Sequence, residues 1–320
     1  TELLDMWTKA RHGEGTYDPA AYLISKGHKI QTSYTTTFQT APVTLDWGNT
    51  SSQSDTEITV NTVDGLVEYN GLGELTPALA ESWTVSEDGK VYTFKIRKGV
   101  AWYTSEGTKY ADVTAKDFVA GFRHMLDCKA GLEYLVDGII VGATDYYKNN
   151  GSWDDVKFVA TDDYTLEITL EQPTSYFLTM LTYSCFLPIC DSFYQARGGV
   201  YGVGEYKAAS AEDSYTFGKS TDVASQVYCG PFLVQKLEKD SEIYLVRNKN
   251  YYKNTETTID SIKWVADAGE DLVALYNDTV AGTYAGISVS NETTRKLATD
   301  DGNFDKYAYI SETTSTTYFG

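Results

Sequence analysis

Three histidines, four cysteines and a few adjacent acidic pairs are the residues here with the types needed for catalysis or metal binding. His12, His28 and His124 share no ligand-like spacing, so a histidine-based metal site is not expected. Cys128, Cys185, Cys190 and Cys229 contain no CxxC pair for zinc or thiol redox chemistry. Cys185 and Cys190 are close enough in sequence to bridge in an oxidising environment, and buried free thiols acting as small apolar groups fit equally well. Asp154-Asp155 and Asp162-Asp163 have the residue type of a glycosidase pair but fall at turns, where solvated carboxylates are the rule. The glycines of GEGT at 13–16 and GVGEY at 202–206 are loop glycines, and no GxSxG, P-loop, HExxH or strand-borne GxGxxG occurs. What remains is binding chemistry. Residues 48–55, GNTSSQSD, form a polar stretch that feeds a helix, and such a loop presents free backbone N–H groups. A plain helix-capping turn and a ligand-contacting loop both fit it.

The elements that would position this stretch follow from periodicity. Trp83, Val85, Val91, Tyr92, Phe94 and Ile96 alternate on either side of Glu87-Asp88-Gly89, and Asp-Gly between such runs predicts a β-hairpin. Thr114, three residues before Asp117, caps a helix with Phe118, Val119, Phe122, Met125 and Leu126 on its apolar face, giving a β-β-α unit. Upstream, a short helix is expected over Leu3–Ala10, a strand over Lys29–Phe38 and a helix from about Thr56 to Leu66. Downstream, Leu132, Leu135, Val136, Ile139 and Ile140 read as a second helical face. Trp153–Ala160 and Tyr164–Leu170 read as a hairpin, and TSYFLTMLTYSCFL at 174–187 as a buried helix and turn stopped by Pro188. Residues 199–225 read as loop, Phe232–Leu237 with Glu242–Arg247 as a third hairpin, Ile259–Val265 as a strand and Glu270–Val280 as a helix. Three hairpins with helices between them and no fixed-period repeat predict an α/β fold with a mixed sheet.

At 320 residues the chain is long enough for one large or two ordinary domains. It has 45 acidic against 26 basic residues, a balance that repels nucleic acid and anionic lipid and excludes a DNA or RNA role. No apolar stretch is long enough to span a bilayer, and no N-terminal run has the form of a signal peptide, leaving a cytoplasmic protein or a processed mature one.

The β-β-α stretch also carries a resemblance. Pro77, LAESW at 79–83, Asp88-Gly89, YTFKIRKGVAW at 92–102, SEG at 105–107 and VTAKDFV at 113–119 resemble the signature of the extracellular solute-binding proteins of family 5, the oligopeptide-binding subunits of ABC importers. LDW at 45–47, VDGL at 63–66, DDYTLEITLEQP at 162–173, CGPFLV at 229–234 and RNKNYY at 247–252 extend it, so that residues 29–320 are covered. The wording is similar to that of Gram-positive lipoproteins. The resemblance implies a two-lobe periplasmic-binding-protein-like fold of type II with mixed sheets. Residues 29–65 and 226–265 would form lobe one, 66–225 a subdomain inserted in it, 266–320 the start of a truncated lobe two, and 1–28 an extension of unknown role.

By the same resemblance the ligand-contacting loop falls on Ser51, Ser52, Gln53 and Ser54, and Tyr134 takes the place of a ligand-facing tyrosine, a core position on the Leu132–Leu135 face being the competing reading. Relatives with an acid at the position of Ser51 can meet a ligand cation there; a serine cannot. Trp47, Trp83 and Trp102 are expected in the core. No cofactor and no catalysis is implied. The function implied is capture of extracellular oligopeptides between two lobes that close about a hinge near Val265–Gly269, and delivery to a permease and ATPase complex. The protein would be a monomer on the bacterial surface, held by a lipid anchor that precedes Thr1, and this chain alone would bind peptide weakly or not at all. Family members for oligosaccharides or other solutes and peptide-pheromone sensors are the alternatives, a secreted enzyme or adhesin a more distant one.

Overall fold

Two four-stranded sheets organise the protein in the computed structural model, which describes residues 2–267, 269 and 271–308. The first joins a strand near the start of the chain to three strands from residues 232–266. Ser33–Phe38 pairs in parallel with Ser261–Ala266, followed by Glu242–Arg247 and Phe232–Glu238 in antiparallel order. Leu233, Ile243, Leu245, Ile262 and Trp264 supply its buried face, with Ile58 from the helix Gln53–Thr62 packed against it. The second sheet lies wholly inside the intervening segment, in the order Ala80–Val85, Val91–Ile96, Thr165–Thr169, Phe158–Asp162. The architecture is mixed α/β.

The predicted β-β-α unit is present. Gly89 has φ +71°, the left-handed geometry a tight turn needs. The helix Ala115–Cys128 starts at Thr114 with a capping box closed by Asp117. Asp117 does more than cap: its carboxylate also accepts Trp102 Nε1–H at 3.1 Å and the Asp191 N–H at 3.0 Å, tying strand, helix and the start of a later helix, Asp191–Ala196, together. Trp47 and Trp102 are buried as expected, and Trp83 is half-buried against the same core.

Several expectations need correction. The strand begins at Ser33 rather than Lys29, and the helix expected from Thr56 runs Gln53–Thr62, because Ser52 is its N-cap. The second helical face is a short 3-10 turn, Glu133–Val136, followed by a separate helix Ala143–Tyr147. Gly131, Gly138 and Gly142 at φ +96°, +69° and +80° break the run. Trp153–Asp155 is a 3-10 turn, and the hairpin strand starts at Phe158. Residues 199–225 are not open loop. They hold the helix Val203–Ala209 and the turn Val223–Ser225, and bury Tyr206, Tyr215 and Phe217. Residues 174–187 form a short helix Phe177–Met180 and a turn Ser184–Phe186 with Phe177, Leu181 and Phe186 buried. The N-terminal extension forms helices Glu2–Arg11 and Pro19–Ser25, and the later helix runs Leu272–Val280, capped by Asp271. No described helix is long and apolar enough to cross a membrane.

Candidate functional site

The polar loop is held rigid from beneath. Asp55, buried, accepts the Val43 N–H at 2.6 Å on one carboxylate oxygen and the Thr50 hydroxyl at 2.6 Å on the other. Thr50 Oγ1 in turn accepts the Ser52 N–H at 3.0 Å. Ser51, Ser52 and Gln53 face solvent on this base, and Ser54 is half-exposed with its hydroxyl 2.8 Å from that of Ser52. Gln53 and Ser54 belong to the first helical turn rather than to the loop, and Ser52 caps it without a side-chain bond. The Ser51 hydroxyl and the first-turn N–H groups therefore have no partner among the described residues and stay available to a ligand.

The fold brings a second segment to this loop. A side chain placed on Gly131 would meet the Ser51 hydroxyl at 3.6 Å, so the turn after the capped helix lies directly against it. The Gly131 N–H donates to Glu133 Oε2 at 2.9 Å, which orders the turn. Val136 is the buried anchor of the turn, and Tyr134 stands 68% exposed above it. A core tyrosine is thereby excluded. Ser51, Ser52, Gln53, Ser54 and Tyr134 thus come from two adjacent surface segments, with Glu133 a neighbour that sequence reasoning missed. Its signal was Gly131, whose positive φ turns the chain back toward the loop.

Beneath the loop, Asp46, which caps the turn Trp47–Asn49, meets the fully buried His124 of the capped helix, with Nε2–H shared between the two carboxylate oxygens at 2.8 and 2.9 Å. Burial works against the charged imidazole, but the Asp46 carboxylate outweighs it and holds His124 protonated well above its ordinary value. Tyr194, Tyr206 and Phe217 enclose the ring, which is why residues 199–225 fold in rather than loop out. Cys128 Sγ lies 3.5 Å from the same Nε2. Asp46, His124 and Cys128 are the donor types of a metal site, with ligand atoms within 4.8 Å of one another, assembled from segments that sequence spacing could not relate. They satisfy one another as a buried ion pair with a thiol alongside. The Cys128 thiol lies within 3.6 Å of both ring nitrogens, and burial raises it instead of activating it, the opposite of what a nucleophilic thiol needs.

Cys185 and Cys190 are free, buried thiols, both pushed up to about 12 by burial, and therefore inert apolar fillers. Asp162 accepts the Tyr164 N–H in its turn and Asp163 pairs with Lys116, as turn carboxylates do. Asp154 and Asp155 lie in the 3-10 turn, where Asp155 caps Ser152.

The family model of bacterial extracellular solute-binding proteins, family 5, matches residues 74–320. The oligopeptide-binding protein AmiA of Streptococcus pneumoniae is 38% identical over 245 residues, covering 76% of this chain and 35% of that protein. SarA of Streptococcus gordonii, also an oligopeptide-binding protein, is 35% identical over 73% of this chain and 33% of its own length. Among solved structures, the substrate-binding domain of an oligopeptide ABC transporter from Bacillus anthracis superposes with a TM-score of 0.66 at 28% identity, covering 80% of this chain and 45% of that one. The pheromone receptor PrgZ gives 0.70 at 24% identity over 85% and 50%, a likeness of fold. The chain spans about a third of the length of the two streptococcal relatives.

Proposed function

Because this chain belongs to the bacterial extracellular solute-binding proteins of family 5, we propose that it is the peptide-capturing component of an ABC importer. The ligand rests on Ser51, Ser52, Gln53, Ser54 and Tyr134. The observation that carries this reading is the apposition of the Ser51 loop and the Gly131–Tyr134 turn, two surface segments held rigidly from below and presenting hydroxyls, backbone N–H groups and an exposed aromatic ring. Such a surface suits an extended peptide, whose backbone pairs with fixed donors while its side chains stay free. The first four-stranded sheet with its Gln53–Thr62 helix serves as the base of lobe one, residues 66–225 as the inserted subdomain and residues from 266 as the start of lobe two. In the full-length protein the lobes close over the ligand about the segment after Ala266 and present it to a permease and ATPase complex at the bacterial surface. The protein works as a lipid-anchored monomer, with no step of chemistry on the ligand.

Isothermal titration of the full-length protein with mixed peptides of two to nine residues tests this reading. Saturable heat that drops on Tyr134→Ala supports it. Heat from oligosaccharides alone would keep the fold and replace the ligand, and silence from both would remove the reading.

A further inference from the structure

A cavity of about 460 Å³ opens elsewhere on the inserted subdomain, between the helix Ala115–Cys128, the turn Trp153–Asp155 and the edge strand Phe158–Asp162. Neither Ser51–Ser54 nor Tyr134 lines it. Its cationic wall is Arg123, whose guanidinium carbon lies 4.9 Å from the Trp153 ring centre and 5.1 Å from that of Tyr201. Two aromatic rings thus hold the orientation of the fork. Among the described residues its Nε–H alone is used, in a long bond to the Tyr146 hydroxyl at 3.4 Å, and that hydroxyl donates to Asp127 Oδ1 at 2.5 Å. Among the described residues no carboxylate forms an ion pair with Arg123, so its two terminal nitrogens keep their donors free. A half-buried, pre-oriented fork with free donors is the arrangement that takes a carboxylate with two parallel hydrogen bonds.

The other charges facing the cavity narrow the ligand. Lys116 also lines it but is bound to Asp163 at 2.8 Å. Asp154 and Asp191 stand on the opposite account, with Asp191 Oδ1 already accepting the Tyr201 hydroxyl at 2.6 Å. With Lys116 neutralised by Asp163, Arg123 stands against Asp154 and Asp191, a balance that disfavours a dianion such as phosphate. The remaining lining, Val119, Val156 and Phe158 with the Trp153 ring, calls for an apolar body. The geometry points to a second binding site, separate from the peptide surface, in which Arg123 holds a monocarboxylate with a flat apolar body, the class that benzoate represents.

Heteronuclear NMR of the full-length protein tests it, with the Trp153 indole N–H assigned by comparison with Trp153→Phe. Benzoate is expected to shift that resonance saturably, while benzylamine and inorganic phosphate leave it in place. Arg123→Gln weakens benzoate by about ten-fold or more, the loss of a bidentate charge-assisted contact. Arg123→Lys keeps the charge and loses the fork; it is expected to weaken benzoate with an unchanged melting temperature, which separates recognition from folding. No saturable shift, an equal response to phosphate, or wild-type benzoate affinity retained in both variants would overturn the site.

Discussion

At the residue scale, exposed groups and locked groups play opposite parts. Tyr134 buries little of its ring, so Tyr134→Ala should leave the melting temperature unchanged while costing about 1–2 kcal/mol of peptide affinity, read by calorimetry. Glu133 holds a carboxylate in the turn that lies against the Ser51 loop, and Glu133→Gln should lower affinity for lysine-bearing peptides more than for their neutral counterparts. His124 behaves in the opposite way to Tyr134. His124→Ala leaves Asp46 buried and unpaired, a loss of about 3–5 kcal/mol in a denaturant melt with no direct contact to any ligand. Of these residues only the loop and Tyr134 were singled out in the sequence, the loop by its polar run into a helix and Tyr134 through resemblance. Asp46 and His124 are separated by 78 positions, and no local pattern joins them.

At the element scale, closeness rather than propensity decides. Gly121 sits in the middle of the capped helix, where alanine should gain roughly 1 kcal/mol. A Cβ there would lie 2.4 Å from the Leu187 carbonyl oxygen, since the chain at 187–189 runs against the helix and the Ile189 N–H bonds the Asp117 carbonyl. Overpacking costs more than the propensity returns, so Gly121→Ala should lower stability by a net 1–2 kcal/mol, measured by thermal or urea melting. The hairpin and the capped helix were readable because Asp-Gly and the Thr114–Asp117 capping box are local signals. Residues 132–140 misled because apolar spacing continued across glycines that stop a helix. Residues 199–225 misled because their glycines and serines masked the aromatic residues that close on His124.

For the whole molecule, buried titrating groups set the dependence on pH. Burial pushes Asp64 up to about 6 despite a hydrogen bond from the Tyr251 hydroxyl. Its unfolded value is about 3.9, so the folded state binds more protons between these values and stability falls as pH rises through that window. His124 acts in the same sense higher up. The stability from its imidazolium is complete below about 6.5 and is lost as pH rises through its raised folded value. The full-length protein should therefore melt at a higher temperature at about pH 5.5 than at about pH 8.5, and His124→Gln should flatten the alkaline part of that slope. The mixed α/β architecture was legible in the alternation of hairpins and helices. The parallel pairing of Ser33–Phe38 with Ser261–Ala266 was not, because it joins segments more than two hundred residues apart through contacts that only the folded sheet makes.

The central claim is that the Ser51 loop and the Gly131–Tyr134 turn together form one peptide-contacting surface. The most direct measurement is the melting temperature of the full-length protein, wild type and Ser51→Trp, with and without a peptide pool. Binding to the native state adds RT ln(1 + [L]/Kd), about 2.7 kcal/mol at a hundred-fold excess over Kd. The account predicts a rise for the wild type and its loss in Ser51→Trp, whose indole would fill the space against Gly131, with the unliganded melts equal. An equal rise in both proteins, or none in the wild type with any peptide pool, would contradict it.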